Sequence, residues 1–235
     1  MVEERWETGA PHHTYLDGYG NRCERFLFPS GPSTLRYSAK VLHTDPDDPA
    51  EIPLAAETPP VDLPDETLAF LMPSRFCQPD ELGSEAWNRF GEIAPGSGRV
   101  QAVVDYVHEL IEFTPGGSNP WTTAADVFRA RQGVCRDYAH LAISLCRALN
   151  IPSRYVFGYI SDVGVPAPVE PMDFAAWFEA YLDGEWHTFD PRNNRQRTGR
   201  VIVGRGRDAA DCALITSFGA LELTHFEVVA TERTT

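Results

Sequence analysis

Residues 133–141 of this chain read Gly-Val-Cys-Arg-Asp-Tyr-Ala-His-Leu, and the segment that they begin decides the fold. Apolar residues continue at helical spacing as far as Leu149, and Asn150-Ile151-Pro152 stops the pattern. This predicts an amphipathic helix from about Cys135 to Leu149. Cys135 then lies in the first helical turn, where free backbone N–H groups and the helix dipole favour a thiolate. The position makes Cys135 a candidate nucleophile, and a small packing residue is the alternative interpretation.

On the C-terminal side of this helix the apolar period changes to two, which is typical of strands. Residues 173–182 and 185–190 predict a hairpin, because the Asp183-Gly184 pair between them suits a tight turn. Further strands are predicted at residues 154–160, 201–203, 212–216 and 223–230.

On the N-terminal side the sequence predicts a helix from Ser97 to about Ile111 and a shorter helix capped by Thr122 or Thr123. Before residue 75, proline and turn residues separate the predicted short elements, which are strands at 25–28 and 34–42 and a short helix at 63–72. Helices followed by antiparallel strands are the order of an α+β fold. We therefore expect a β-rich N-terminal region over residues 1–74 and a core domain over 75–235.

The composition limits the classes of partner. The formal net charge of −14 repels phosphate backbones, and the Arg-rich stretch 192–207 is the only candidate basic patch, so we expect no nucleic-acid partner. No apolar run approaches the ~20 residues that a membrane-spanning helix needs, so no membrane partner is expected. The charged first residues lack the apolar core of a signal peptide, which predicts a cytoplasmic location. The oligomeric state is not predicted.

The cysteines do not form a disulfide or zinc pattern. There are five of them, widely scattered, so an even disulfide framework is not expected. No CxxC pair, HExxH motif or EF-hand spacing occurs in the sequence, and we expect neither a metal nor another cofactor.

Three ordered motifs resemble those of bacterial transglutaminase-like proteins. Residues 133–141 resemble the cysteine motif of that family, and the similarity continues through 148–159. Residues 172–182 resemble its histidine strand, and residues 183–191 resemble its aspartate strand. Residues 204–211 and 73–77 are also typical of this bacterial subgroup. The resemblance implies a papain-like core in which the cysteine-bearing helix packs on an antiparallel sheet.

The resemblance also implies a Cys-His-Asp triad that transfers an acyl group from an amide or thioester to an amine or to water. Carried over by motif, Cys135 is the nucleophile and Asp190 is the carboxylate that orients the histidine. The implied substrate is a peptide, a protein or a carrier-bound acyl group. Transglutamination, proteolysis and amide synthesis share the first step, and the sequence leaves them open. From its position alone, Asp190 is equally well explained as a turn residue before proline.

The chain departs from the family pattern at one position that decides the chemistry. The family has histidine where this chain has Ala175, between Phe174 and Ala176. Alanine cannot accept a proton, and losing a triad base lowers turnover by roughly 10⁴–10⁶-fold. The resemblance therefore implies a transglutaminase-like thiol enzyme in an inactivated His-to-Ala form.

Two explanations of Ala175 remain open. One is an engineered substitution, which the otherwise intact motifs around Cys135 and Asp190 favour. The other is a natural pseudoenzyme that binds a peptide or protein through the former catalytic cleft.

No other histidine is predicted to replace the missing base. Strand alternation places His187 on the opposite face from Asp190. His140 projects roughly 140° round the helix from Cys135, which predicts a hydrogen-bonding residue of the core. His12 lies in a turn-rich stretch with no evident partner.

Overall fold

The computed structural model describes residues 3–42, 54–160, 173–195, 197 and 199–229. Its helices and strands follow the order of an α+β protein, with the helices largely before the main sheet. The helices are α1 Pro79–Phe90, α2 Ser97–Leu110, α3 Ala124–Ala130 and α4 Cys135–Ala148. The strands are β1 Glu3–Glu7, β2 His12–Leu16, β3 Arg22–Phe26, β4 Arg36–Lys40, β5 Glu112–Phe113, β6 Gln132–Gly133, β7 Ser153–Ile160, β8 Ala175–Leu182, β9 Glu185–Phe189 and β10 Arg200–Gly206.

A four-stranded antiparallel sheet in the order β10-β7-β8-β9 forms the centre of the fold. Strand β8 is buried along its whole length because it has a neighbour on both sides and packing on both faces. Its alternate residues Ala176, Phe178, Ala180 and Leu182 join the main core, which includes α4. The intervening residues Ala175 and Trp177 lie on the other face with Val156. The predicted α+β, papain-like fold with the cysteine-bearing helix on an antiparallel sheet is confirmed.

Helix α4 lies inside the core. Eleven of its residues, from Asp137 to Arg147, are buried, and α1, α2 and α3 pack around it. Arg147 is one of them, and its guanidinium donates to the carbonyls of Ser153, Met72 and Arg207. Burial of so long a charged side chain is tolerable only with this many acceptors. These bonds tie the C-terminal end of α4 to β7 and to the segment after β10.

The N-terminal region contains two small antiparallel pairs, β1 with β4 and β2 with β3. It contacts the core through Tyr19, whose hydroxyl donates to Asp211 at 2.7 Å, and through Asn21, which bonds the backbone of Arg205. The β-rich character that we expected of this region is present. The boundary at residue 74 stays a prediction.

The structure corrects the expectation of two late strands. Residues 212–216 and 223–229 form no strand. Apart from the buried Cys212 their side chains are largely exposed, and they pair with no strand in the described part of the chain; residue 230 lies outside the described residues. The short helix predicted within 63–72 is present as a 3₁₀ helix over Asp65–Phe70. Helix α1 and strands β1 and β2 were not predicted. His12 lies in β2 and pairs with Glu24 at 3.2 Å, so it does have a partner.

Three arginines of the stretch 192–207 form separate ion pairs. Arg200 pairs with Asp190 at 3.0 Å, Arg205 with Glu179 at 3.1 Å and Arg207 with Asp211 at 2.8 Å. These three charges are therefore each engaged by a carboxylate of the same chain. Among the described residues, no helix is long and apolar enough to cross a membrane.

Candidate active site

The start of α4 is fixed by a buried carboxylate. Asp137 is fully buried, and it accepts from the backbone N–H of Val134 at 2.8 Å and from the Ser118 hydroxyl. Arg136 pairs with its other oxygen at 3.1 Å. A Cβ on Gly133 would lie 2.8 Å from Asp137, so only glycine leaves the carboxylate this position. Asp137 therefore holds the turn that presents Cys135, and the dipole of the helix favours its charge.

We expect Asp137→Ala to lower the free energy of unfolding by about 2–4 kcal/mol, because it removes a helix cap and several buried hydrogen bonds to a charged group. Urea unfolding measures the loss. Asp126→Ala is the matched control, since Asp126 caps α3 through Thr123 but is exposed, and it should cost only about 1 kcal/mol. Equal losses for the two variants would contradict a special role for the buried cap.

The thiol of Cys135 lies against the start of strand β8. Burial raises the pKa of this thiol; the backbone N–H groups of Ala176 and Arg136 and the charge of Arg192 oppose the rise, and Asp173 adds to it. The contact with the Ala176 backbone places the thiol beside position 175. The sulfur is consequently a neutral thiol at neutral pH, which is the state of a cysteine that lacks a base.

Asp190 follows strand β9 and is buried. Its carboxylate accepts from the Asn193 backbone N–H at 3.0 Å and the Asn193 side-chain amide at 2.8 Å. Arg200 donates to it at 3.0 Å and stacks on the ring of Trp177, 5.0 Å from the ring centroid. Because Trp177 shares a sheet face with Ala175, this cluster places Asp190 on the face where a residue-175 side chain would lie. Cys135 thus contacts the backbone at the start of β8, and Asp190 is linked through Arg200 to Trp177 on the same strand.

Two buried donors in this cluster have no acceptor. The indole N–H of Trp177 and one terminal nitrogen of Arg200 are both buried without a hydrogen-bond partner in the described part of the chain. Such donors are uncommon in folded proteins because each costs roughly 1–3 kcal/mol. Both donors lie on the same face of the sheet as residue 175, the position at which the family has histidine.

His140 is a core residue, as its helical position predicts. It is fully buried between Phe76 and Tyr155, and its Nε2 accepts from the backbone N–H of Ala209 at 3.1 Å. Burial lowers the pKa of His140 to about 3. The imidazole therefore stays neutral and links α4 to the segment after β10, and it does not serve Cys135.

The His140 pKa predicts a pH dependence of stability. Between about pH 6.5 and pH 3 the unfolded chain carries a proton on His140 that the folded protein lacks, so the stability contribution of the buried neutral ring is present above pH 6.5 and falls as the pH is lowered. We expect the stability advantage of the wild type over His140→Gln to shrink by ~1 kcal/mol or more between pH 7 and pH 5. Urea unfolding at both pH values measures the difference. A constant difference would refute the buried neutral state.

His187 lies away from Asp190. Its Nε2 atom is 3.2 Å from the carbonyl oxygen of Leu182, near the hairpin turn, and its strand partner is Ala180 on the α4 side of the sheet. This agrees with the prediction that His187 does not replace the missing base. Trp121 is 71% exposed, so it is not the core aromatic residue that its position also allows.

Sequence reasoning missed the residues that hold Asp190. Arg200 was noted only as part of a basic stretch, and Asn193 was not noted. The Asp190-Pro191 turn was a local signal for Asn193, because an aspartate in such a turn often accepts hydrogen bonds from residues that follow it. The Arg200 contact depends on the pairing of β10 with β7, which brings a distant strand over Trp177. No local sequence signal could have revealed it.

Comparison with known proteins identifies the family. The family model of the transglutaminase-like superfamily matches residues 88–191, which include Cys135, Ala175 and Asp190. A solved structure of a candidate cysteine protease from Cytophaga hutchinsonii has a TM-score of 0.76 and 32% identity, covering 93% of this chain and 75% of its own. This chain belongs to the transglutaminase-like superfamily. The family fold therefore extends over nearly the whole chain, beyond the residues that the family model matches.

Bacterial relatives share the sequence but have no assigned activity. An uncharacterized protein of Mycobacterium leprae is 35% identical over 118 residues, which are 48% of this chain and 42% of the relative. An uncharacterized protein of Mycobacterium tuberculosis is 28% identical over 222 residues, which are 86% of this chain and 70% of that protein. The chain thus matches less than half of the mycobacterial protein with the higher identity. Among the described residues of this transglutaminase-like chain, no group of three or more His, Cys, Asp or Glu is placed to hold a metal ion.

Proposed function

We propose that this chain has the thiol acyl-transfer site of a transglutaminase-like enzyme, disabled at its general base. Cys135 is the nucleophile position, Asp190 is the orienting carboxylate, and Ala175 occupies the place of the histidine. The reaction of the intact site attacks an amide or thioester carbonyl and gives an acyl-enzyme that passes to an amine or to water. The substrate class is a peptide, a protein or a carrier-bound acyl group.

One observation supports this proposal most strongly: the thiol of Cys135 lies against the backbone N–H of Ala176 while Asp190 lies on the sheet face of residue 175. A histidine at 175 would stand between a thiol and a carboxylate, which is the order of the triad. The free N–H groups at the start of α4 are suitably placed to stabilise an oxyanion on an acyl group carried by Cys135.

The surroundings of Asp190 bear on the origin of the alanine. A buried carboxylate that had lost only its histidine partner would be left with fewer hydrogen bonds than it can accept. Asp190 accepts three hydrogen bonds, from both nitrogens of Asn193 and from Arg200. These bonds leave Oδ1 able to accept a further hydrogen bond from a histidine at 175, which suits an engineered alanine. The natural gene sequence decides the point, since an alanine codon at 175 would refute an engineered substitution.

A binding protein is the second candidate. The paired Asp190 and the raised thiol pKa of Cys135 fit a cleft that has been kept for recognition without turnover. Its ligand would be a peptide or protein segment that enters beside Trp121 and Phe113, both of which are exposed apolar residues near the start of α4.

Intact-mass measurement separates the two candidates. The chain and its Ala175→His variant are each incubated with a panel of amide and thioester donors. The enzyme proposal expects an acyl adduct on Cys135, or release of ammonia or thiol, in the His variant and far less in the parent. Absence of any adduct in the His variant across the panel would reject the enzyme and favour the binder.

We also propose a cytoplasmic location. All five cysteines are free thiols, and three of them, Cys77, Cys146 and Cys212, are buried. Unpaired cysteines are typical of reducing compartments. Fractionation of producing cells with a periplasmic marker tests the location.

A further inference from the structure

Arg192 connects the two halves of the candidate site. It follows Asp190 and Pro191 in the turn after β9, and its guanidinium lies over the ring of Phe113, 4.1 Å from the ring centroid. Phe113 belongs to β5, which pairs with Gly133 in β6, and Gly133 leads through Val134 into Cys135. The guanidinium of Arg192 therefore lies between the turn that follows Asp190 and the start of α4, which carries Cys135.

The charge of Arg192 is not neutralised by an ion pair in the described part of the chain. The other arginine beside the thiol, Arg136, is paired with the buried Asp137 at 3.1 Å. Acidic groups facing this region are Glu112, on the strand that carries Phe113, and Asp173, whose charge acts on the Cys135 thiol. The influence of Arg192 on the same thiol is in the opposite direction and is larger than that of Asp173.

An unpaired cation beside a nucleophile is unusual in a chain with a formal charge of −14. The cation–π contact with Phe113 holds the guanidinium in place at one face and leaves its N–H edge available for hydrogen bonds. A guanidinium edge matches the two oxygens of a carboxylate. Held next to the thiol, it would recognise a carboxylate close to the carbonyl that the thiol attacks.

We propose that Arg192 is a specificity-determining residue that selects ligands and acyl donors carrying a carboxylate beside the reacting carbonyl. This inference rests on the proposed function, because it takes Cys135 as the reacting group. The competing role is purely structural, in which Arg192 only clamps the turn to Phe113.

Alkylation with a matched pair of reagents tests the inference without needing a catalytic base. Iodoacetate and iodoacetamide undergo the same reaction and differ in charge. The thiolate sulfur of Cys135 bonds to the methylene carbon as the carbon–iodine bond breaks, iodide leaves, and the thiol proton goes to the buffer. The measured quantity is the ratio of the two rate constants at Cys135, followed by peptide mass analysis. Cys23, a half-buried thiol in the N-terminal region, provides the internal reference ratio.

The expected result is a ratio that favours iodoacetate at Cys135 over Cys23 and falls about 3-fold or more in Arg192→Gln. The preference should weaken as salt is raised, because the charges are partly exposed to solvent. Arg195→Gln is the matched control, since it removes the same charge from an exposed position in the same turn segment and should leave the ratio unchanged. Arg192→Lys should keep part of the preference.

Two outcomes would overturn the inference, and they are distinguishable. If Cys135 reacts with both reagents and Arg192→Gln leaves the ratio unchanged while its thermal midpoint drops, Arg192 is a clamp and the proposed function stands. If Cys135 reacts with neither reagent in the wild type or in the Ala175→His variant, the proposed function fails and the inference fails with it.

Discussion

Replacing Ala175 with histidine will raise the rate at which Cys135 cleaves an activated thioester by about 10²–10⁴-fold near neutral pH, the usual contribution of a positioned general base. Residue 175 directly precedes Ala176, whose backbone N–H contacts the thiol, and its side chain shares the sheet face of Trp177, on which the Asp190–Arg200 pair lies. Within the described residues the Oδ1 atom of Asp190 accepts only the Asn193 backbone N–H, so it can accept a second hydrogen bond from the ring. Stopped-flow measurement of acyl-enzyme formation gives the rate.

Two controls make this result specific. Ala175→Asn adds a polar side chain of related size that is not a base, and it should leave the rate near that of the parent. Combining Cys135→Ser with Ala175→His should abolish most of the gain. A gain that survives the loss of Cys135, or that appears equally in Ala175→Asn, would contradict the triad assignment.

Removing Asp190 will destabilise the protein strongly even though the site lacks its base. The Asp190 side chain is 1% exposed and that of Arg200 is 9% exposed, so Asp190→Ala leaves a buried cation without its partner. We expect a loss of about 3–5 kcal/mol in the free energy of unfolding. The loss includes the two hydrogen bonds to Asn193 that hold the turn. Urea unfolding measures it.

The exposed pair of Glu85 and Arg89 on α1 provides the comparison. Its side chains are 28% and 49% exposed, and Glu85→Ala should cost less than about 1 kcal/mol. If Asp190→Ala costs no more than Glu85→Ala, Arg200 has found solvent or another acceptor. The buried pair would then not be the feature that fixes this end of the sheet.

The parts of the fold that were predictable from sequence have strong local patterns. Helix α4 has apolar residues at helical spacing and a Pro152 stop, and the β8–β9 hairpin has the Asp183-Gly184 turn, in which both residues take positive φ values of 51° and 83°. Helix α2 begins at Ser97 as expected. In each case the local preference and the tertiary packing agree, so the pattern is sufficient.

Elements whose local pattern is weak were missed or wrongly predicted. Helix α1 buries only four residues, Pro79, Leu82, Ala86 and Phe90, and it contains Gly83 and Asn88, which disfavour a helix. Residues 212–216 are apolar enough to suggest a strand, but they do not pair with the edge strand β10 of the described sheet. Pairing is a property of the whole fold, and a window of sequence does not contain it.

The candidate site also contains residues that local motifs predict and residues that only the whole fold brings into place. Motifs supplied Cys135, position 175 and Asp190; the structure shows Cys135 against the Ala176 backbone and Asp190 bonded to Arg200, which stacks on Trp177. Arg192 and Arg200 could not be assigned in advance, because their contacts with Phe113 and Trp177 join segments far apart in the chain. These two arginines nevertheless determine the charge around the thiol and around the aspartate.

The pH dependence of Cys135 alkylation by iodoacetamide, in the parent chain and in Ala175→His, tests the central claim most directly. Since burial raises the thiol pKa in the parent, its reaction should be slow at pH 6–7 and should rise only in the alkaline range. In Ala175→His the rise should move to clearly lower pH, because an imidazolium beside the sulfur stabilises the thiolate. Profiles that coincide would show that position 175 does not act on the thiol, and would contradict the assignment of Cys135, Ala175 and Asp190 as the positions of one catalytic triad.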